Sequence, residues 1–398
     1  MNKKKEIDAW VNCPECKTKL KQENFTEHMK YVHNQIMDDA KIKPLETSNK
    51  KIQEKKTPRI ISKMTIGIII IIFLLVVASI FIYYLFNSKD SNVPIDKKNY
   101  FVSIGGKGDY ISIQEAIDSA SDYDTIFVSN GTYFENILIT KPLELIGEDK
   151  NSTIINGNGS GIVINISADY VNISGFAIKN GGSLSNAVKV DSGIELRSNY
   201  NTISDCYISS NKNYGLYLYA NPNTTNNTIK YNIFSNNKYG IFSYYAKTNN
   251  ISSNTFTNNT DYGIYLGSRS NDNLISDNNF KENNYAIRIK TSEKNTIINN
   301  LIMNNKYGVY FCCGAENNIA YNNIFINNTN WNADDNLGNT WDNGYPSGGN
   351  YWDDYIGTDN YNGPNQDIPG SDGIGDTPHL TNLDKGDMFP LMQPNKIM

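Results

Sequence analysis

Four residues near the N-terminus have the types and spacing of a metal centre. Cys13 and Cys16 are separated by two residues, and His28 and His33 follow five positions apart. Two thiolates on a knuckle and two imidazoles sharing one helix face supply the four N/S ligands of a closed tetrahedral zinc site. The chain has three histidines in all, so two beside a Cys pair are not a product of composition. A reducing compartment keeps such thiols available as ligands. Val11, Leu20 and Phe25 stand where a small module needs its apolar contacts.

A second group of ligand types closes the chain. Asp353, Asp354, Asp359, Asp372 and Asp376 lie on glycine-bent loops that include Asp372-Gly-Ile-Gly-Asp376. Hard carboxylate oxygens suit calcium, although the twelve-residue spacing of a helix–loop–helix calcium loop is absent. The expectation is a structural calcium that pins the C-terminal segment. Acid–base chemistry needs a close pair of groups. Asp191 and Glu195 form the best local carboxylate pair. Glu195/Arg197 and Arg288/Lys290 stand four repeats apart, which at ~4.8 Å per strand is roughly 19 Å and too far to act on one bond. No catalytic residue is assigned. Copper wants His, Met or Cys, but His379, Met303, Met388 and Met392 show no paired spacing. Cys312 and Cys313 are adjacent, and the plain expectation is one buried thiol and one exposed.

The elements that carry these residues are repetitive. Tyr-Gly recurs at Tyr214-Gly215, Tyr239-Gly240 and Tyr262-Gly263, then as Tyr285-Ala286 and Tyr307-Gly308, in steps of 25, 23, 23 and 22. Ile203, Ile229, Ile251, Ile275, Ile297 and Ile319 keep the same beat. Five residues after each stands Ile208, Phe234, Phe256, Phe280, Ile302 or Ile324. A unit this short cannot bury its own apolar face and must stack on its neighbours. Short alternating strands divided by Asn-rich turns fit the coils of a parallel β-helix. Asn211, Asn236, Asn259 and Asn304, each four residues before the glycine, are expected to stack as a ladder at a turn.

Strand alternation sorts the faces. Leu216, Leu218, Ile264, Leu266, Val309 and Phe311 point inward. Outward, one column reads Glu195, Tyr217, Phe242, Tyr265, Arg288, Tyr310, and the other reads Arg197, Tyr219, Tyr244, Gly267, Lys290, Cys312. Aromatic rings in such a stripe can stack on sugar rings while the cations grip acidic groups. Tyrosines on a sheet can equally stack on one another.

Residues 9–35 resemble a C2H2 zinc finger, with one residue fewer than usual between the Cys and His pairs. Asp109-Tyr-Ile-Ser-Ile-Gln-Glu-Ala-Ile-Asp118, then Asp124-Thr-Ile-Phe-Val128 and Gly131-Thr-Tyr-Phe-Glu135, resemble the opening of pectin-lyase-like β-helices, where a short helix caps the first coil. The later repeats are similar to NosD-type units, and Gly349-Asn-Tyr-Trp-Asp-Asp-Tyr355 with Phe389-Pro-Leu-Met392 to the family's closing segment. The resemblance implies a right-handed parallel β-helix, and copper handling or carbohydrate association as its activity. One such finger reads few bases alone, so docking or a purely structural role is as open as nucleic-acid binding.

Met64–Phe86 has neither charge nor proline and is long enough to span a bilayer core. Lysines and Arg59 crowd its N-terminal side, which places the N-terminus in the cytoplasm. The net charge of −5 gives no reason to expect nucleic-acid binding by the whole molecule. The expected organisation is a zinc finger over 1–37, a Lys-rich linker over 38–63, the membrane helix over 64–86, a linker over 87–98, the β-helix over 99–345 and a C-terminal cap over 346–398. The expected function is a cell-surface β-helix, extracellular and single-pass, that binds polysaccharide or another envelope component. A polysaccharide lyase or hydrolase and a transmembrane sensor are the alternatives.

Overall fold

The structure, a computed structural model, describes residues 10–12, 19–21, 97–182, 191–219, 224–335, 337–381 and 386–394. It divides into two units, 1–91 and 92–398. In the first, β1 (Trp10–Asn12) pairs antiparallel with β2 (Lys19–Lys21), Asn12 opposite Lys19. Cys13 and Cys16 fall in the connection between them. Those two residues, His28, His33 and the apolar run 64–86 lie outside the described residues. Among the described residues no helix is long and apolar enough to cross a membrane.

The second unit is a parallel solenoid. Each coil contributes one strand to each of three sheets, which hold ten, ten and nine strands. One coil shows the logic. Asn250–Ser252 lies in the first sheet, Thr255–Thr257 in the second and Tyr262–Gly267 in the third. Alternation turns Ile251, Phe256, Ile264 and Leu266 inward, and all four are fully buried. Each coil repeats these positions, so like side chains stack in files. Phe234, Phe256 and Phe280 lie parallel at 5.0 and 4.7 Å between ring centroids.

The open N-terminal end would expose the first coil's core. Helix α1 (Ile113–Ser119) covers it with Ile113, Ala116 and Ile117 buried. Ser112 caps the helix by accepting from the Glu115 N–H, and the Glu135 carboxylate accepts from the N–H groups of Ile113 and Gln114. An anion there also meets the positive end of the helix.

The corners are held by three asparagine ladders rather than one. Within a coil the buried asparagines fall five residues apart, as in Asn249, Asn254 and Asn259, or Asn273, Asn278 and Asn283. Each sends its backbone N–H and its Nδ2 to the Oδ1 of the equivalent asparagine one coil on. For Asn254 to Asn278 these distances are 2.9 and 3.1 Å. A second Nδ2 bond reaches a strand carbonyl of the preceding coil, as from Asn254 to Ile229. From the coil of Asn227 to that of Asn318, the residue before each ladder asparagine has φ between +53° and +59°. That left-handed residue makes the corner and sends the next side chain inside.

The ladder differs from the expected one at two positions. Asn211 and Asn259 belong to it, but Asn236 and Asn304 are the left-handed corner residues, and the buried members are Asn237 and Asn305. Cys206 occupies a ladder position itself: its N–H donates to Asn232 Oδ1, and burial pushes its thiol up to about 12. The last coil shifts by one residue relative to the sequence count. Ile297 pairs with Ala320 and Ile302 with Phe325, so Ile319 and Ile324 do not continue the core files.

Solenoid pairing also runs past residue 345. Tyr351–Trp352 adds to the second sheet, and Trp352 stacks on Phe325 at 4.3 Å. Here the ladders need terminal acceptors, because every one donates toward the C-terminal end. Each ends on carboxylate oxygens. Asn339 donates to Asp335, Asn350 to Asp387, and Asn328 through Asn332 to Asp353 and Asp354.

Burial pushes the carboxyl of Asp387 up to about 7, against the N–H donors of Asn350, Trp352 and Phe389. Between that value and the ordinary ~3.9 of an unfolded Asp, the folded chain holds a proton that the unfolded chain has released. Stability from this group is therefore present at low pH and is lost as pH rises through 7. The unfolding free energy should be about 2 kcal/mol greater near pH 5.5 than near pH 8. In Asp387→Asn that slope should flatten, as read from urea melts at the two pH values. A wild-type slope unaltered in the variant would assign the dependence elsewhere.

Candidate functional site

The outward face of the third sheet carries the stripe that the repeats foretell. Glu195, Tyr217, Phe242, Tyr265, Arg288 and Tyr310 are in register on successive strands, and Asp334 extends the column. Tyr219, Tyr244, Gly267, Lys290 and Cys312 form the second column. Gly267 leaves the space into which the Tyr265 ring leans: a Cβ there would lie 2.6 Å from Tyr265 Cε1.

A third column was missed. Tyr214, Tyr239, Tyr262, Tyr285, Tyr307 and Trp331 are also in register. Their ring centroids follow one another at 5.2, 5.2, 5.0, 4.3 and 4.9 Å. The signal was present, since these are the tyrosines of the Tyr-Gly marks, read for their period and not for their face.

The rings cover one another. Phe242 and Tyr265 are parallel at 5.0 Å, and Tyr219 and Tyr244 at 6.0 Å. Arg288 takes a ring's place in its column, its guanidinium 5.5 Å from the Tyr265 ring and 5.4 Å from that of Tyr310. The same group donates to Tyr262 Oη at 2.6 Å and to Cys312 Sγ at 3.4 Å. What the stripe offers a ligand is mostly rims and hydroxyls. Burial raises the phenols of Tyr214, Tyr217, Tyr265 and Tyr285, and pushes Tyr239 up to about 12. These stay neutral donors and acceptors at ordinary pH.

Cys312 is buried and Cys313 exposed, both as free thiols. Burial raises Cys312, while the hydrogen bond from Cys312, and then Arg288, lower Cys313. Glu195 points outward yet is 0 % exposed. Its Oε1 accepts from Arg197 Nε at 2.6 Å, and its Oε2 has no hydrogen-bond partner. Burial lifts its pKa and Arg197 opposes the rise. Asp191 is likewise buried, 4 % exposed, immediately before the strand that carries Glu195.

The five aspartates proposed for calcium do not converge. Asp359 accepts from the N–H groups of Asp372 and Gly373, and Asp376 from those of Asn360 and Tyr361. Asp372 accepts from Ile374, while Asp353 and Asp354 end an asparagine ladder. Among the described residues no group of three or more His, Cys, Asp or Glu side chains is arranged to hold a metal ion. N–H donors occupy both oxygens of Asp353, Asp359 and Asp376 and Oδ1 of Asp354, so the five do not form a calcium site.

With three parallel sheets wound coil upon coil, the second unit is a right-handed parallel β-helix. A model of right-handed β-helix regions matches residues 84–280, and one described as periplasmic copper-binding protein (NosD) matches residues 221–357. No curated protein sequence matches the chain. Among solved structures, the alginate lyase of Paenibacillus sp. str. FPU-7 is similar at 16% identity and TM-score 0.46, over 64% of this chain and 97% of that one. XylC in complex with xylose is similar at 12% and 0.44, over 61% and 76%. Pectate lyase Pel9A is similar at 15% and 0.40, over 60% and 78%. These similarities assign no role to any residue of this chain.

Proposed function

We propose that this protein is a membrane-anchored cell-surface β-helix that binds an acidic polysaccharide or comparable envelope polymer along the outward face of its third sheet. The observation that carries the reading is the run of phenols in register across consecutive coils, interleaved with Arg288 and Lys290 and bordered by Arg197 over the Tyr219 ring. Coils repeat at ~4.8 Å, so a ligand lying along the axis meets the same groups at regular intervals. That suits a polymer better than a small molecule. Because ring faces are mutually covered, phenol hydroxyls and cations make the contacts. The run 64–86 would anchor the chain with the β-helix outside. Cys13, Cys16, His28 and His33 would hold a structural zinc ion beside the β1–β2 hairpin, for docking inside the cell.

Glycan-array binding of the full-length protein in detergent tests the reading. Acidic polysaccharides should bind and neutral ones should bind more weakly. Lys290→Glu should weaken acidic binding about tenfold, equivalent to ~1.4 kcal/mol. Tyr239→Phe and Tyr285→Phe, which keep the rings and delete the hydroxyls, should weaken it several-fold. If no acidic polysaccharide binds, the face is structural only. Lyase or hydrolase action is the second reading, favoured by the unpartnered Oε2 of Glu195. It predicts new reducing ends or unsaturated products, abolished by Glu195→Gln.

A further inference from the structure

The tyrosine column ends at Trp331, and beside that ring is a pocket of about 290 Å³. Trp331 meets Tyr285, Tyr307 and Tyr310, all from earlier coils. Among the described residues no ring covers its other side. Asp334, Asp354, His379 and Thr381 line the same pocket. His379 is fixed twice: its ring stacks on Trp352 at 4.4 Å and 4°, and its Nε2 lies 3.1 Å from Asp354 Oδ1. Nδ1 is buried and has no hydrogen-bond partner among the described residues. The Asp354 side chain remains 58% exposed.

We propose that this pocket is a sugar-binding subsite that takes one uncharged hexose residue at the C-terminal end of the glycan track. The proposal rests on the polysaccharide reading above and adds a site and a preference to it. The apolar C–H face of a pyranose packs on an indole face, and Trp331 lines the pocket. Sugar hydroxyls donate, and the exposed Asp354 carboxylate accepts. The hydrogen bond with His379 keeps the Asp354 carboxyl below the usual carboxylate range. The exposed Asp354 carboxylate repels a uronate, so the cation-lined centre of the face and its C-terminal end select different sugars. The volume lies at the small end of ligand pockets, which suits one ring.

The test uses full-length protein in detergent, with indole fluorescence and titration calorimetry against neutral gluco-, manno-, galacto- and N-acetylglucosamine hexasaccharides. An acidic oligouronate is titrated in parallel. At least one neutral oligosaccharide should bind and shift the indole emission. Trp331→Ala should weaken it at least 30-fold and Asp354→Asn about tenfold, while Lys107→Glu, an exposed position at the opposite end of the solenoid, leaves it unchanged. Asp354→Asn removes one exposed charge, and an unchanged melting temperature keeps its result interpretable. Neutral binding that survives both Trp331→Ala and Asp354→Asn overturns the proposal. Acidic binding with no neutral binding overturns it while the polysaccharide reading stands. No binding of either kind overturns both.

Discussion

Asn278→Ala should lower the unfolding free energy of the β-helix by about 3–5 kcal/mol, the sum for two buried polar groups left without partners. Asn278 Oδ1 accepts the backbone N–H of Asn254 at 2.9 Å, and its Nδ2 donates to Ile251 O at 2.9 Å. Alanine removes both partners from a site that is 1 % exposed. The Nδ2 of Asn254 keeps its bonds to Ile229 O and Ser252 O, so the loss is confined to the two backbone groups. Solenoid coils interact mainly with their neighbours. Faster amide exchange should therefore appear in the coils on either side, with the distant coils unchanged. Asn279, next in sequence, is the control. Its side chain faces outward and its Oδ1 has no partner, so Asn279→Thr should cost little or nothing in a column that already holds Thr255. Equal urea midpoints for the two variants would refute the ladder's role.

Asp335→Ala should cost still more, on the order of 5 kcal/mol, because one carboxylate serves many donors. It accepts from the N–H groups of Leu337, Gly338 and Asn339, from Asn339 Nδ2 and from Trp341 Nε1. The ladder from Asn201 onward points its donors toward this end, much as a helix points its N–H groups at an N-cap. A group that accepts without donating is what that end requires. Asp335→Asn keeps one acceptor oxygen and brings an NH2 against the remaining donors, so it should recover less than half of the loss. Trp341 reports locally: its emission should red-shift in Asp335→Ala before the rest of the solenoid melts. A cost below about 1 kcal/mol would mean that water serves as the terminal acceptor.

Both predictions rest on residues that the repeats announce only in part. The period of the Tyr-Gly marks, the alternation within Gly-Ile-Tyr-Leu and the amphipathic stretch after Asp109 were sufficient for coils, facing and a cap helix. They placed Tyr217, Phe242, Tyr265, Arg288 and Tyr310 in one register and Leu216, Ile264 and Val309 inside. The ladders were legible too, as asparagine at every fifth position, but a count from the glycine chose Asn236 and Asn304. Whether an asparagine turns the corner or fills it is decided by backbone φ, and the two kinds stand side by side in the chain.

The sequence by itself determined what is periodic, because a repeated side chain must repeat its environment when coils stack. Tertiary structure alone decided what happens where the period stops. The one-residue shift at Ala320 and Phe325 follows the ladders, whose step from Asn295 to Asn318 and from Asn300 to Asn323 is 23 residues where the preceding step is 22. Asp353 and Asp354 have the composition of a cation site, yet they sit where a ladder of donors ends, and the nearest N–H groups claim both oxygens of Asp353 and Oδ1 of Asp354. Tyr219 and Tyr244, read as a platform for sugars, stack on one another because a strand spacing of ~4.8 Å brings successive rings into contact. Trp331, Asp354 and His379 come from separate segments with no repeat to link them, and only the closing turns of the chain bring them to one pocket.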